Sequence, residues 1–375
     1  MSASGSASCC LNDFGAPVLA VCGFSGSGKT TLLEAAVPHL IARGLSVAVV
    51  KHDSHSFSVD QQGKDSDRLF RAGATVALRG PSEQFQRRGA LSKLTLEATL
   101  SDVARDHDLL LVEGHKDTTL PKLWLSSSEN SVPPRDVTGV EAFLPWDSDR
   151  LGTFLDFVDK WLARAWAMRP TFAGMLVGGK SSRMGSPKQL IEFRGRALGE
   201  IAATALSSAF SGESCSVGRD GELVNPRLVV IGSGPVPRML QNITRLADPP
   251  GLTGPLAGLL AAHRWNPRAG WMLAACDHPW LNPSDVRGLL DQRRPGAWAI
   301  IPTQPDGHPC PTLAFFEPQS LEVLERALLA RDPASVRIAE IFDHPHTVIS
   351  PYSTRGLLSA NTPMELRLAS ACFQG

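Results

Sequence analysis

Short apolar runs punctuate this chain at intervals that fit alternating strands and helices. The runs at Pro17 to Cys22, Ser46 to Val50 and Asp108 to Glu113 are continuous rather than alternating, as in strands buried on both faces of a parallel sheet. Between the first two, Thr30 to Arg43 has helical spacing, and Gly44 sits where a helix-ending glycine belongs. The strand pattern returns at Phe172 to Val177, Arg227 to Ile231 and Trp271 to Cys276. Arg196 to Phe210 and Leu256 to His263 read as helices, with a short stretch at Leu190 to Glu192. From Leu151 to Met168, residues Leu151, Phe154, Leu155, Val158, Trp161 and Leu162 share one helical face, and Arg169-Pro170 stops that helix. The pattern predicts an α/β protein of two domains, 16–168 and 170–375, behind a Ser/Ala/Gly-rich flexible leader over 1–15. A chain of 375 residues is long enough for two separate cores.

Composition narrows the function only by exclusion. Formal charge is zero, against 37 basic and 37 acidic residues, so a nucleic-acid-coating protein is not expected. Seven cysteines without a C-x-x-C pair predict reduced thiols in a cytoplasmic protein, not a disulfide framework or a zinc site. No run approaches the roughly eighteen apolar residues of a membrane span, so a soluble protein without a membrane partner is expected.

Two stretches satisfy the phosphate-loop pattern G-x-x-x-x-G-K-[ST]. In the first, Gly23, Ser25, Gly26, Ser27, Gly28, Lys29, Thr30 and Thr31 follow a buried strand and open a helix, which is the context such a loop requires. Backbone N–H groups around Ser25 to Gly28 would cradle a β-phosphate, Lys29 would reach β/γ oxygens, and the Thr30 hydroxyl would sit on Mg²⁺. Glu113, at the end of its strand, is a second candidate for holding Mg²⁺ or a water beside the phosphates. His52 and His55, near Asp53 but without further ligands, read as a polar loop.

In the second match, Gly174 and Gly179-Lys180-Ser181, the residues Met175, Leu176 and Val177 would have to form an exposed anion nest. They make a better strand. The loop then begins at Gly178 and Gly179, small enough for close backbone approach to a base or phosphate. Arg183 and Lys188 follow as phosphate-neutralising cations. Asp248 opens a Gly/Pro loop leading to Gly254 and Gly258, and Asp277 ends the Trp271–Cys276 strand, placed to hold Mg²⁺ bridging phosphate oxygens.

Gly23–Thr31, Val49–His52, Gly63–Ser66, Arg71–Ala74 and Leu111–Asp117 together resemble the MobB-type GTP-binding proteins of molybdenum cofactor biosynthesis. Leu176–Gly179 with Ser182–Gly185 and Lys188, Gly254–Gly258, Cys276–Pro279, Asp306–Pro309 with Pro311–Ala314, and Asn361–Leu366 resemble the MobA-type guanylyltransferases, in the expected order. The resemblance implies a P-loop NTPase-like parallel sheet followed by a Rossmann-like nucleotidyltransferase domain. It also implies that Leu176, Gly178, Lys188 and Asp248 contact GTP and that Asp277 binds Mg²⁺; Val177, Gly179 and Asp277 are further candidates for nucleotide contact. Val177 replaces a usual alanine, and 211–226 is a longer insertion.

The implied reaction is attack of a molybdopterin phosphate on the α-phosphorus of GTP, expelling pyrophosphate. A phosphate nucleophile is already ionised, so no nucleophile-activating triad is needed. Arg183, Lys188 and Asp277 are the expected catalytic residues, with Asp306 and His308 as candidates for the pterin side and Asn361 as a candidate second metal or substrate contact. The first domain would bind GTP, hydrolyse it weakly and assist. Apo-molybdoenzymes and upstream cofactor-synthesis proteins are the implied partners. The alternatives are a cytidylyltransferase acting on the same cofactor and a non-catalytic GTP-dependent adaptor that delivers it.

Overall fold

A computed structural model describes residues 14–51, 60–88, 95–127, 132–178, 184–210, 216–217, 223–225, 227–304 and 306–371. The first half holds a five-stranded sheet of β1 (Val18–Gly23), β2 (Val47–Lys51), β3 (Leu109–Glu113), β4 (Lys122–Leu125) and β5 (Val140–Leu144). Its order is β2-β3-β1-β4-β5, and every pairing is parallel. Helices α1 (Lys29–Ala42), α2 (Leu96–Val103) and α3 (Arg150–Ala167) cover it. Leu19, Leu111 and Leu123 face one apolar cluster with α1 and α3, while Val18, Leu110 and Trp124 face another with Leu100 of α2. Burial on both faces is why these strands read as continuous apolar runs. Gly44 follows α1 at φ +82°, the left-handed geometry of a helix-ending glycine.

The second half builds a seven-stranded sheet from β6 (Thr171–Leu176), β7 (Leu228–Ile231), β8 (Thr244–Leu246), β9 (Gly270–Ala275), β10 (Ala299–Pro302), β11 (Leu313–Phe316) and β12 (Thr347–Ser350). The order is β8-β7-β6-β9-β11-β10-β12, with β11 antiparallel to both neighbours and the remaining pairs parallel. Helices α4 (Leu198–Ala209), α5 (Pro255–Trp265), α6 (Pro283–Leu290), α7 (Pro318–Ala330) and α8 (Pro363–Ala371) accompany it. Gly174 lies inside β6, where a Cβ would stand 2.4 Å from Leu273 Cδ2. It is a packing glycine in a strand, so the second phosphate-loop pattern does not form such a loop. The helix expected from Arg196 begins at Leu198, because Arg196 and Ala197 pair with Glu192 and Phe193 in a small hairpin. None of the described helices is long and apolar enough to cross a membrane.

Pro170 lies between α3 and β6, and the two halves meet there through a buried polar network. Glu317 is wholly buried and accepts hydrogen bonds from Trp166 Nε1 at 3.1 Å, Arg169 Nη1 at 2.9 Å and Arg293 Nη2 at 2.8 Å. Asp108, also wholly buried, accepts from Trp298 Nε1 and from the Ser46 amide, each at 2.8 Å. Burial pushes the Asp108 carboxyl up from its ordinary value. Gly296 rests so close to Gly44 that a Cβ would stand 2.6 Å from the Gly44 carbonyl oxygen. Gln319 donates to the His107 carbonyl at 3.0 Å.

Each of these contacts lies where the parallel strands of its half begin. Both glycine loops lie where those strands finish. At about 3.3 Å per residue, the five steps from Asp108 to Glu113 and the seven from Thr171 to Gly178 put on the order of 40 Å of sheet between them. The two sites therefore occupy opposite poles of the molecule.

Candidate functional site

The first pole is built by the turn from β1 into α1. Gly26 and Gly28 take left-handed φ values of +76° and +87°. At Gly23 a Cβ would stand 2.5 Å from Ser27 Oγ and 2.6 Å from the Leu125 carbonyl oxygen, so only glycine fits. Ser25, Gly26, Thr30 and Thr31 are exposed and Ser27 is buried. Lys29 Nζ donates to the Gly23 and Phe24 carbonyls at 3.0 and 2.9 Å. The Thr30 hydroxyl donates to Glu113 Oε1 at 2.7 Å, and Lys51 Nζ stands 3.4 Å from that same carboxylate oxygen. Hydroxyl and carboxylate oxygens converging beside a phosphate cradle are a donor set that suits Mg²⁺.

Arg150, at the start of α3, donates to the Ser27 carbonyl at 2.8 Å and to the Ser126 carbonyl, pinning the loop from outside it. Sequence reading missed Arg150 and Lys51. Lys51 had a signal, standing in the quoted Val49–His52 stretch, whereas nothing local marks Arg150. His52 and His55 lie outside the described residues.

The second pole is a cavity of about 350 Å³, lined among others by Leu176, Gly178, Lys188, Asp248, Asp277 and Asn361. Val177 lines it too. Gly178 adopts φ +111°, and a Cβ there would stand 3.0 Å from the Ser233 carbonyl oxygen. Gly254 (φ +76°) and Pro255 open α5, and Gly258 lets that helix settle on Leu176, where a Cβ would stand 2.5 Å from Cδ2. Asp248 is exposed at the rim of the cavity, where partial desolvation pushes its carboxyl up.

Three side chains from distant parts of the chain meet at the floor. Lys188 Nζ donates to Asn361 Oδ1 at 2.6 Å and to Asp277 Oδ2 at 3.3 Å. Asp277 Oδ1 is buried without a hydrogen-bond partner; His278 Nε2 is the neighbouring nitrogen, at 3.5 Å. An orphaned carboxylate oxygen beside a cavity fits a cation there. Cys276 donates to the Leu176 carbonyl at 3.3 Å, and burial pushes its thiol up to about 12, so it packs as an inert group. Thr312, part of the Pro311–Ala314 stretch of the resemblance but given no role there, also lines the cavity.

Gly179 and Arg183 fall outside the described residues. Asp306 and His308 sit exposed on a turn, where Asp306 Oδ1 accepts from the His308 amide at 3.0 Å. They are not among the residues lining the cavity, whereas Asn361 is.

Fold and sites together define a protein with two nucleotide-binding α/β units, a phosphate-loop unit followed by a nucleotidyltransferase-like unit. The family pattern of molybdopterin guanine dinucleotide synthesis protein B (MobB) matches residues 18–142, and that of the MobA-like NTP transferase domain matches 173–345. The chain is 35% identical over 162 residues to the molybdopterin-guanine dinucleotide biosynthesis adapter protein of Haemophilus influenzae, covering 39% of this chain and 89% of that protein. It is 26% identical over 195 residues to the molybdenum cofactor biosynthesis bifunctional protein of Synechocystis, covering 52% of each. It is 29% identical over 150 residues to the probable molybdenum cofactor guanylyltransferase of Bacillus subtilis, covering 40% of this chain and 68% of that protein. The chain belongs to the MobB family through its first half and carries a MobA-like NTP transferase domain in its second.

Proposed function

We infer that this chain is a molybdenum cofactor guanylyltransferase with a fused GTP-binding helper, the units spanning 16–168 and 170–375. The second unit transfers GMP from GTP to the phosphate of molybdopterin and releases pyrophosphate. The observation that carries this reading is the meeting of Lys188, Asp277 and Asn361 under a nucleotide-sized cavity, within a MobA-like domain. Gly178 and the α5 amino terminus offer backbone amides to the nucleotide. Leu176, Val177 and Asp248 border the base and ribose, and Gly179 approaches the phosphates.

Catalysis rests on alignment and charge. Lys188, with Arg183 from the preceding loop, neutralises the triphosphate as negative charge gathers on the leaving pyrophosphate. Asp277 and Asn361 fix the Lys188 ammonium, and the orphaned Asp277 oxygen is the ligand offered to Mg²⁺. When bound, Mg²⁺ supplies further charge neutralisation to the phosphate oxygens. No residue has to activate the nucleophile, because a phosphate monoester is anionic at neutral pH.

The first unit binds GTP on Gly23–Thr31, with Thr30 and Glu113 offered to its Mg²⁺, and hydrolyses it weakly. Its pole faces away from the transfer cavity, so it assists by engaging other molecules. Apo-molybdoenzymes and proteins of cofactor synthesis are the proposed partners, in the cytoplasm. The test is incubation with Mg²⁺, molybdenum-loaded molybdopterin and either GTP or CTP. Stoichiometric pyrophosphate with GTP supports the reading; release with CTP alone makes the enzyme a cytidylyltransferase, and release with neither leaves an adaptor.

A further inference from the structure

The Lys51 side chain has no part in the phosphate-loop pattern, yet the sheet register puts it at the heart of the first site. Lys51 and Glu113 are paired residues at the ends of the parallel strands β2 and β3, so their side chains leave the same face. Lys51 Nζ lies 3.4 Å from Glu113 Oε1 and 3.4 Å from Thr30 Oγ1. Those are the two oxygens offered to a metal ion. The ammonium thus stands where a cation held by that hydroxyl and carboxylate would stand. Its side chain is 53% exposed and that of Glu113 is 10% exposed, so Lys51 is free to swing while Glu113 is held.

Strand order gives the direction of the swing. The glycine loop follows β1, Glu113 ends the neighbouring β3, and Lys51 ends β2 on the far side. A phosphate chain with its β-phosphate in the loop would extend along the strand ends past Thr30 and Glu113 toward Lys51. Thr30 and Glu113 would hold a divalent ion, whose charge would repel the ammonium. The negative group in reach at that point is the terminal phosphate.

We propose that Lys51 is the γ-phosphate-reading residue of the first-half site: it holds Glu113 and Thr30 when no nucleotide is bound and moves to the terminal phosphate of GTP when Mg²⁺ arrives. This rests on the reading of Gly23–Thr30 as a phosphate site. With GDP, Lys51 has no terminal phosphate to receive it, so the residue sets the preference for triphosphate over diphosphate.

The experiment is calorimetric titration of the full chain with GTP or GDP in Mg²⁺. The Lys29→Ala chain reports the second-half site alone, and subtraction isolates the first. Lys51→Met is expected to weaken GTP binding at the first site about tenfold, the worth of one charge-assisted hydrogen bond. GDP affinity should stay within about twofold by the same scale, and Lys51→Arg should restore most of the loss. An unchanged ratio of GTP to GDP affinity in Lys51→Met overturns the role of Lys51 while leaving the phosphate site standing. If Lys29→Ala removes no binding site, the phosphate-site reading falls, and the role of Lys51 with it.

Discussion

Replacing Glu317 by alanine tests whether the two halves are locked together by a buried charge network. The carboxylate is wholly buried and holds Arg169, whose side chain is 2% exposed, together with Arg293 and Trp166 Nε1. Removing it strands two guanidinium groups at the junction, one of them fully buried. Breaking a buried ion pair from one side costs about 3–5 kcal/mol, because the remaining charge has lost its compensation. For a unit of roughly 200 residues, each kcal/mol lowers the melting temperature by about 2–4 °C, so the drop should be on the order of 10 °C. Scanning calorimetry measures it, and limited proteolysis reports whether the joint near Pro170 opens. The control is Asp159→Ala, which removes the exposed pair with Arg43 (side chains 48% and 39% exposed) and should cost about 1 kcal/mol or less. If both substitutions shift the melt by the same small amount, the network does not hold the halves.

Further outcomes follow from single residues. The hydrogen bond from His263, followed by the charges of Arg105 and Arg326, holds the Glu322 carboxyl at about 2, below its ordinary 4.5. A depressed carboxyl contributes stability that is complete above its unfolded value and disappears as pH falls through its folded one. Glu322→Gln should therefore flatten the loss of stability between pH 4.5 and about 2, read as urea midpoints across that range. Gly232 has φ +111°, and a Cβ there would stand 2.0 Å from the Val177 carbonyl oxygen. Gly232→Ala should cost about 1–3 kcal/mol of backbone strain and abolish nucleotide binding at the second pole, while calorimetry still finds the first site.

The first glycine loop was legible in the sequence because it is contiguous and sits between a strand run and a helix, and the turn at Gly178 because it directly follows a strand run. Deciding that Gly174 belongs to a strand needed only the bulk of Met175, Leu176 and Val177. Where sequence reading failed, the information was carried by register or by long-range packing. Lys51 meets Glu113 only because β2 and β3 pair residue for residue. Lys188 and Asn361 are 173 positions apart, and Trp298 and Asp108 are 190 apart, so no local pattern announces either contact. The antiparallel β11 is another such case: Leu313–Phe316 is apolar throughout, as the parallel strands are, and its direction depends on which neighbours it pairs with. The poles were invisible for the same reason. A short joint at Pro170 says that the halves are near one another, but only the contacts at their strand-start edges say that the two loops face apart.

In the proposed division of labour the second unit spends its own GTP and the first unit does not supply it. The direct measurement is transfer of label from α-labelled GTP to molybdenum-loaded molybdopterin, with Mg²⁺, by dilute Lys29→Ala and Asp277→Ala chains. The predicted result is that Lys29→Ala still transfers label, weakened at most a few-fold, while no longer hydrolysing GTP to GDP. Asp277→Ala should transfer none while keeping its folded circular dichroism spectrum. Transfer that survives in Asp277→Ala, or disappears in Lys29→Ala, contradicts the account.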